Sequence, residues 1–440
     1  MFRRNAGLVR SIFPALLALT TSFGFVQSPA PTDAKVNEIA ATYVKLVLAL
    51  GNHDSDYVDA YYGPAEWQDT AKANPSSLAA IRARIHTLQQ SLSLAESEPA
   101  AASEMNRLRH HYLAKQLGAM EARIDLLEGK KYSFDEEAAK LYDAAVPVNT
   151  EEHFQTVLAR IDQALPGRGT LPERWEAYRR SFFIPPEKLD TVFRAAIAEC
   201  RARTARHITL PPGESFTVEY VQGTPWAAYN WYKGNFQSVI QVNIDLPISI
   251  DRMIDLACHE GYPGHHVYNA LLEKHLVRDR GWLEFTVYPL FSPQSLIAEG
   301  SGNYGIAVAF PGDEKLTFER DVLFPLAGLD PMRAAEYDRI RTLLKELAYA
   351  RNEAARRYLS GEITAAEATR WITRYTLQDP AQAAKSVRFI DRYRSYVINY
   401  NLGEDLVKHY VETRAGGDSQ RRWEVFTQLI SSPRLPSAIQ

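Results

Sequence analysis

The segment His259-Glu260-Gly261-Tyr262-Pro263-Gly264-His265-His266 places three imidazoles and a carboxylate within eight residues, in a chain that holds 11 histidines in all. Neutral imidazole is the commonest protein ligand for zinc, and a carboxylate beside it can take a proton from water activated by the metal. The chemistry this points to is metal-assisted hydrolysis.

In the regular H-E-x-x-H pattern two histidines four apart share one helical face. Here that position is Pro263, and the next histidines lie six and seven residues after His259. On an unbroken helix a spacing of six turns two side chains well apart at ~100° per residue, and a spacing of seven separates them by ~10 Å. Pro263 removes a helical hydrogen bond and Gly264 relaxes the backbone. If two residues bulge out of the helix, His265 reaches the place of the regular second ligand. His259 and His265 are thus the favoured pair, with His266 as the substitute ligand or as a group behind them.

A carboxylate from a following helix would complete the set. Glu299 lies 40 residues after His259, in an apolar run followed by Gly300-Ser301-Gly302, small residues that allow close packing. A surface turn that happens to contain histidines is the competing reading. Against it stands the apolar run Ile254-Asp255-Leu256-Ala257-Cys258, which places the cluster at a buried helix end, where unpaired polar groups are costly.

His259 to His266 followed by Glu299-Gly300 resembles the domain-of-unknown-function 885 family, whose pattern reads H-E-x-x-P-G-H-H and then E-G-W. The resemblance extends to Glu367, Arg374-Tyr375, Pro380-x-Gln382-Ala383 and Asn399-Tyr400-Asn401-Leu402-Gly403, and covers roughly residues 35 to 415. Where the family has the tryptophan of E-G-W this chain has Ser301. The resemblance implies a mainly helical, gluzincin-type zinc peptidase with one zinc per chain, held by His259, His265 or His266, and Glu299. It also implies Glu260 as general base. Together with residue type, it suggests Tyr400 as a donor to the oxyanion and Arg394 or Arg374 as the partner of a substrate carboxylate.

The elements that must position these groups are mostly helices. Apolar residues recur at helical spacing in Lys35 to Leu50, Ser76 to Leu94, Met105 to Leu127 and Glu187 to Arg206, and the first ends at Gly51. Phe216–Val221 and Ser238–Asn243 alternate and predict a small antiparallel sheet ahead of the metal helix. Between them runs the aromatic-rich segment Gly223 to Tyr232. Met332 to Leu359 reads as one long helix, and Thr364-Ala365-Ala366-Glu367 as a capping box opening the next. The tempting ligand types in Asn52 to Asp56 read as turn and capping groups.

Arg3, Arg4 and Arg10 ahead of the apolar Ile12 to Val26 make residues 1–30 an export signal. The expected location is therefore periplasmic or extracellular, with no membrane attachment once the signal is cleaved. Residues 31–440 then form a single domain, comprising a helical scaffold (31–205), the sheet with the metal-site helices (206–310) and a C-terminal helical part (311–440). A net charge of −3 gives no reason to expect nucleic acid, and two cysteines exclude a disulfide framework. Cys258, beside His259, reads as a buried structural thiol. The expected function is zinc-dependent cleavage of peptide bonds. Hydrolysis of another amide or ester, such as a cell-wall peptide, and a non-catalytic helical binding protein are the alternatives.

Overall fold

The computed structural model describes residues 31–96, 103–224, 226–245 and 247–440; the export signal read in residues 1–30 lies outside them. The organising element is the helix Pro293–Ala309, in which 14 of 17 residues are buried. A helix that is apolar or small all round belongs in a core, and this one lies along Ile398–Ala415. Around it one continuous core runs from Val36 to Ile439.

The surrounding helices start and stop where their capping chemistry dictates. Ser103 accepts from the Asn106 amide to open Glu104–Leu127, Thr364 and Glu367 close a capping box on Ala365–Thr376, and Asp379 accepts from the amides of Ala381 and Gln382. The segment Met332 to Leu359 is two helices, Ala334–Lys345 and Ala350–Leu359, rather than one. No proline or glycine marks the interruption. Instead, the turn at residues 346–349, whose Leu347 is buried, is held by Asn401, which donates to the Ala348 carbonyl.

The strands are β1 (Val58–Tyr61), β2 (Ser215–Val221), β3 (Ala228–Gly234), β4 (Gln237–Asn243) and β5 (Val287–Pro289). The aromatic segment becomes β3 and forms an antiparallel hairpin with β4. β2 joins the other side of β4 in parallel, so the two strands legible in the sequence do pair, but in the same direction, and the antiparallel part of the sheet is the β3–β4 hairpin. β4 alternates, turning Ser238, Ile240 and Val242 inward. β1 pairs β5 with a bulge between Val58 and Ala60, and Asp59 is the residue at that bulge. No helix of the described residues is long and apolar enough to cross a membrane.

Candidate metal centre

The helix Asp251–Leu256 runs into a wider π-type turn, Ala257–Gly261, that carries His259 and Glu260. The chain then leaves helical geometry. Tyr262 is extended, Tyr262-Pro263 is a cis peptide, and a new helix, His265–Leu272, begins after Gly264. The helix therefore ends and restarts instead of bulging and continuing. The turn is drawn tight by the Gly264 amide, which donates to the Cys258 carbonyl at 2.9 Å. Only glycine fits there: a Cβ on Gly264 would lie 2.0 Å from the His259 carbonyl oxygen.

The reversal brings His265 back to His259, with ring centroids 4.5 Å apart and planes at 82°. Glu299 enters from Pro293–Ala309, its Oε2 standing 3.2 Å from His259 Nε2 and 3.8 Å from His265 Nε2. One ligand atom from each of the three side chains lies within 4.8 Å of the other two, and no second such group occurs among the described residues. Helix and turn approach this closely because Gly302 has no side chain; a Cβ there would meet His259 Nδ1 at 2.9 Å.

Two of the three members are oriented from behind. His259 Nδ1 donates to Asn303 Oδ1 at 2.8 Å, which directs Nε2 toward Glu299, and the Asn303 amide donates to the Tyr400 carbonyl at 2.6 Å. Tyr396 donates to Glu299 Oε1 at 2.8 Å, while Glu299 Oε2 is buried and has no hydrogen bond. A buried, unbonded carboxylate oxygen facing two imidazole nitrogens suits a divalent cation and is costly otherwise. The two nitrogen and one oxygen donors match a three-ligand zinc site that keeps a position open.

The charges divide unevenly. Burial alone would lower the pKa of His259, but Glu299 and Glu260 outweigh it and raise it to about 9. Burial, helped by the charge of His259, lowers His265 to about 4, so that imidazole is neutral with its lone pair available. Burial raises Glu260 to about 7, opposed by His259 and assisted by Glu299. Asp59 is raised to about 8 by burial and by Glu299 and Glu260. It is a third carboxylate close to the cluster, carried at the bulge in β1. Tyr400 is raised well above the usual tyrosine value by burial and by Glu299, so its hydroxyl remains a donor, and it makes no hydrogen bond among the described residues.

The cluster thus gathers His259, His265 and Glu299, with Glu260 and Tyr400 beside them. His266 is turned elsewhere: Nε2 donates to Glu214 at 2.9 Å and Nδ1 accepts from Ser238 at 2.9 Å. Cys258 is fully buried and faces Cys200 Sγ at 3.0 Å. Neither arginine expected near a substrate reaches the cluster. Arg374 is 62 % exposed beside Glu151. Arg394 pairs with the buried Glu137 at 2.5 Å and lines a separate basic cavity of about 340 Å³. Its role there is visible in the backbone: Glu137 also accepts from the Ser395 amide and hydroxyl, closing the turn that presents Tyr396 and Tyr400. Ser301 is buried, its hydroxyl on the Ala298 carbonyl. Sequence reading missed Asp59, Asn303 and Tyr396. Only Tyr396 left a trace, as the residue four before Tyr400 on one helical face.

The chain matches no family model and none of the curated proteins. Among solved structures it is similar to a predicted lipoprotein from Colwellia psychrerythraea, with a TM-score of 0.52 at 16% identity over 84% of this chain and 70% of that one. It also aligns with a Pyrococcus furiosus carboxypeptidase at a TM-score of 0.46 and 12% identity, over 92% of this chain and 91% of that one. A predicted lipoprotein of unknown function from Shewanella oneidensis aligns at a TM-score of 0.40 and 13% identity, over 90% and 82%. The Colwellia likeness shows a shared fold and nothing of activity; the two looser ones carry no weight for either.

Proposed function

We propose that this protein is a zinc-dependent hydrolase of peptide bonds. The observation that carries the reading is the convergence of His259, His265 and the unbonded Glu299 Oε2 within 4.8 Å, beside a buried Glu260 whose pKa stands at about 7. Structural zinc sites are closed by four protein ligands and need no spare base. A zinc ion held by this triad would supply a Lewis acid for a carbonyl group and lower the pKa of water.

The remaining chemistry belongs to the chain. Glu260 takes the proton of the attacking water and returns it to the leaving amine, a task suited to a carboxylate that titrates near neutrality. Tyr400 donates to the developing oxyanion. β3 is an edge strand, and its Asn230 donates to the Glu260 backbone carbonyl at 2.7 Å, which ties the strand to the turn that carries the base. An extended peptide would add to it through backbone hydrogen bonds. The same residues, His259 to His266 and Glu299, support kinship with the domain-of-unknown-function 885 family, and residues 1–30 support export to the periplasm or beyond.

Elemental analysis of the mature protein, paired with peptide hydrolysis before and after chelation, tests this. The expected result is about one zinc per chain and cleavage that chelator abolishes and zinc restores. Zinc-loaded protein that leaves a broad peptide pool intact would reject the peptide-hydrolase reading.

A further inference from the structure

Arg351, at the start of the helix Ala350–Leu359, differs from several other arginines of this half of the chain. Arg341 pairs with Asp251, Arg356 with Asp135 and Glu353, Arg392 with Asp56, and Arg394 with Glu137. Arg351 makes no ion pair and no hydrogen bond among the described residues, and its Nε is shielded from solvent. Burial lowers its pKa, with Tyr400 opposing. A shielded guanidinium without a counter-ion is an energetic liability.

Hydrogen bonds on either side of Arg351 fix its backbone relative to the segment that carries Tyr400. Asn352 and Asn401 exchange amide bonds of 3.0 and 3.1 Å, which pins the residue after Arg351 to the residue after Tyr400. Trp371 holds the Ala350 carbonyl at 2.9 Å. Tyr400 is tied through Asn303 to His259. Its phenol feels Glu299, Arg351 and Glu260 together. The cleft also holds three carboxylates, Asp59, Glu260 and Glu299, so an anionic end of a substrate would be repelled unless a fixed cation received it. Arg252 is a second guanidinium, acting on His259 and Glu260, and it already faces Asp255 at 3.6 Å. A planar guanidinium with all its donors free is the group that binds a carboxylate in two-pronged fashion.

We propose that Arg351 receives the terminal carboxylate of the substrate, so that the enzyme acts on peptides with a free C-terminus. The inference rests on the peptide-hydrolase reading above and narrows it from peptides in general to exopeptidase substrates.

The test uses the zinc-loaded full mature chain and a matched pair of N-blocked peptides, one ending in a free carboxylate and one in an amide. The wild type is expected to favour the acid on the order of 100-fold in kcat/KM, and Arg351→Gln to bring that ratio toward unity, with Arg351→Lys in between. Because Arg351 contributes no bond to the fold, the variants should keep the zinc content and Tm of the wild type. Equal cleavage of both peptides by the wild type, or an equal loss on both in Arg351→Gln, would overturn the assignment and leave the hydrolase reading intact. Calorimetric binding of the same pair to Glu260→Gln separates the opposite case. Carboxylate-dependent binding that Arg351→Gln abolishes, with no cleavage by the wild type, keeps the Arg351 site and removes the hydrolase.

Discussion

His265 turns its Nε2 to within 3.8 Å of Glu299 and its ring makes no hydrogen bond among the described residues, whereas His266, the next residue, commits both ring nitrogens to Ser238 and Glu214. Consecutive residues of a helix point ~100° apart, so the two rings enter different regions. Around His266 every polar group is answered: Glu214 also accepts from Tyr262 at 2.5 Å and from Arg201 at 2.6 Å. Around His265 the buried Glu299 Oε2 is left unanswered, and the carboxyl groups of Glu260 and Asp59 are pushed up toward neutrality. A completed network holds a fold together, while an incomplete one of convergent lone pairs is prepared for something it does not itself contain.

The contrast can be tested by breaking each side. The largest expected effect is on turnover. Glu260→Gln should lower it by about 10²–10⁴-fold with zinc retained, since a proton carrier is lost but no ligand; loss of zinc instead would make Glu260 a ligand. Substituting the neighbouring histidines one at a time comes next. His265→Ala should abolish stoichiometric zinc at unchanged fold, while His266→Ala should keep zinc and cost about 1–3 kcal/mol of stability, because Glu214 loses a buried partner. If both variants lost zinc equally, the distinction drawn between the two regions would collapse. Asn303→Ala should weaken zinc affinity by about 10–100-fold, the usual effect of releasing a ligand from its orienting group, as read by chelator competition.

The smallest effect concerns Asp59. Its folded pKa of about 8 lies above the ordinary aspartate value of ~3.9. The folded chain therefore holds a proton that the unfolded chain has released. The associated stability is complete below about pH 4 and is lost as pH rises through about 8. In zinc-free protein the Tm of Asp59→Asn should decline less than that of the wild type over this range. Parallel Tm profiles would show that Asp59 is not held protonated by the cleft.

Local chemistry made much of this legible in advance. Helix caps at Thr364 and the break at Pro263-Gly264 depend on residues a few positions apart, and they appear where backbone physics requires them. The long helix read over Met332 to Leu359 failed because its interruption is held by Asn401, 53 residues away from Ala348. The antiparallel sheet was legible as two alternating segments, but the parallel pairing of β2 with β4 was not, since alternation carries no strand direction.

The sequence by itself determined the ligand types, their concentration around residue 260 and the impossibility of an unbroken helix through Pro263. Only the tertiary structure decided between His265 and His266, because the deciding partner of His266, Glu214, lies 52 residues before it. The same holds for Asn303, 44 residues after His259, and Tyr396, 97 after Glu299, and for Asp59, on a strand paired with β5. Periodicity reports which face of its own element a residue occupies; what that face meets is set by the packing of the whole chain.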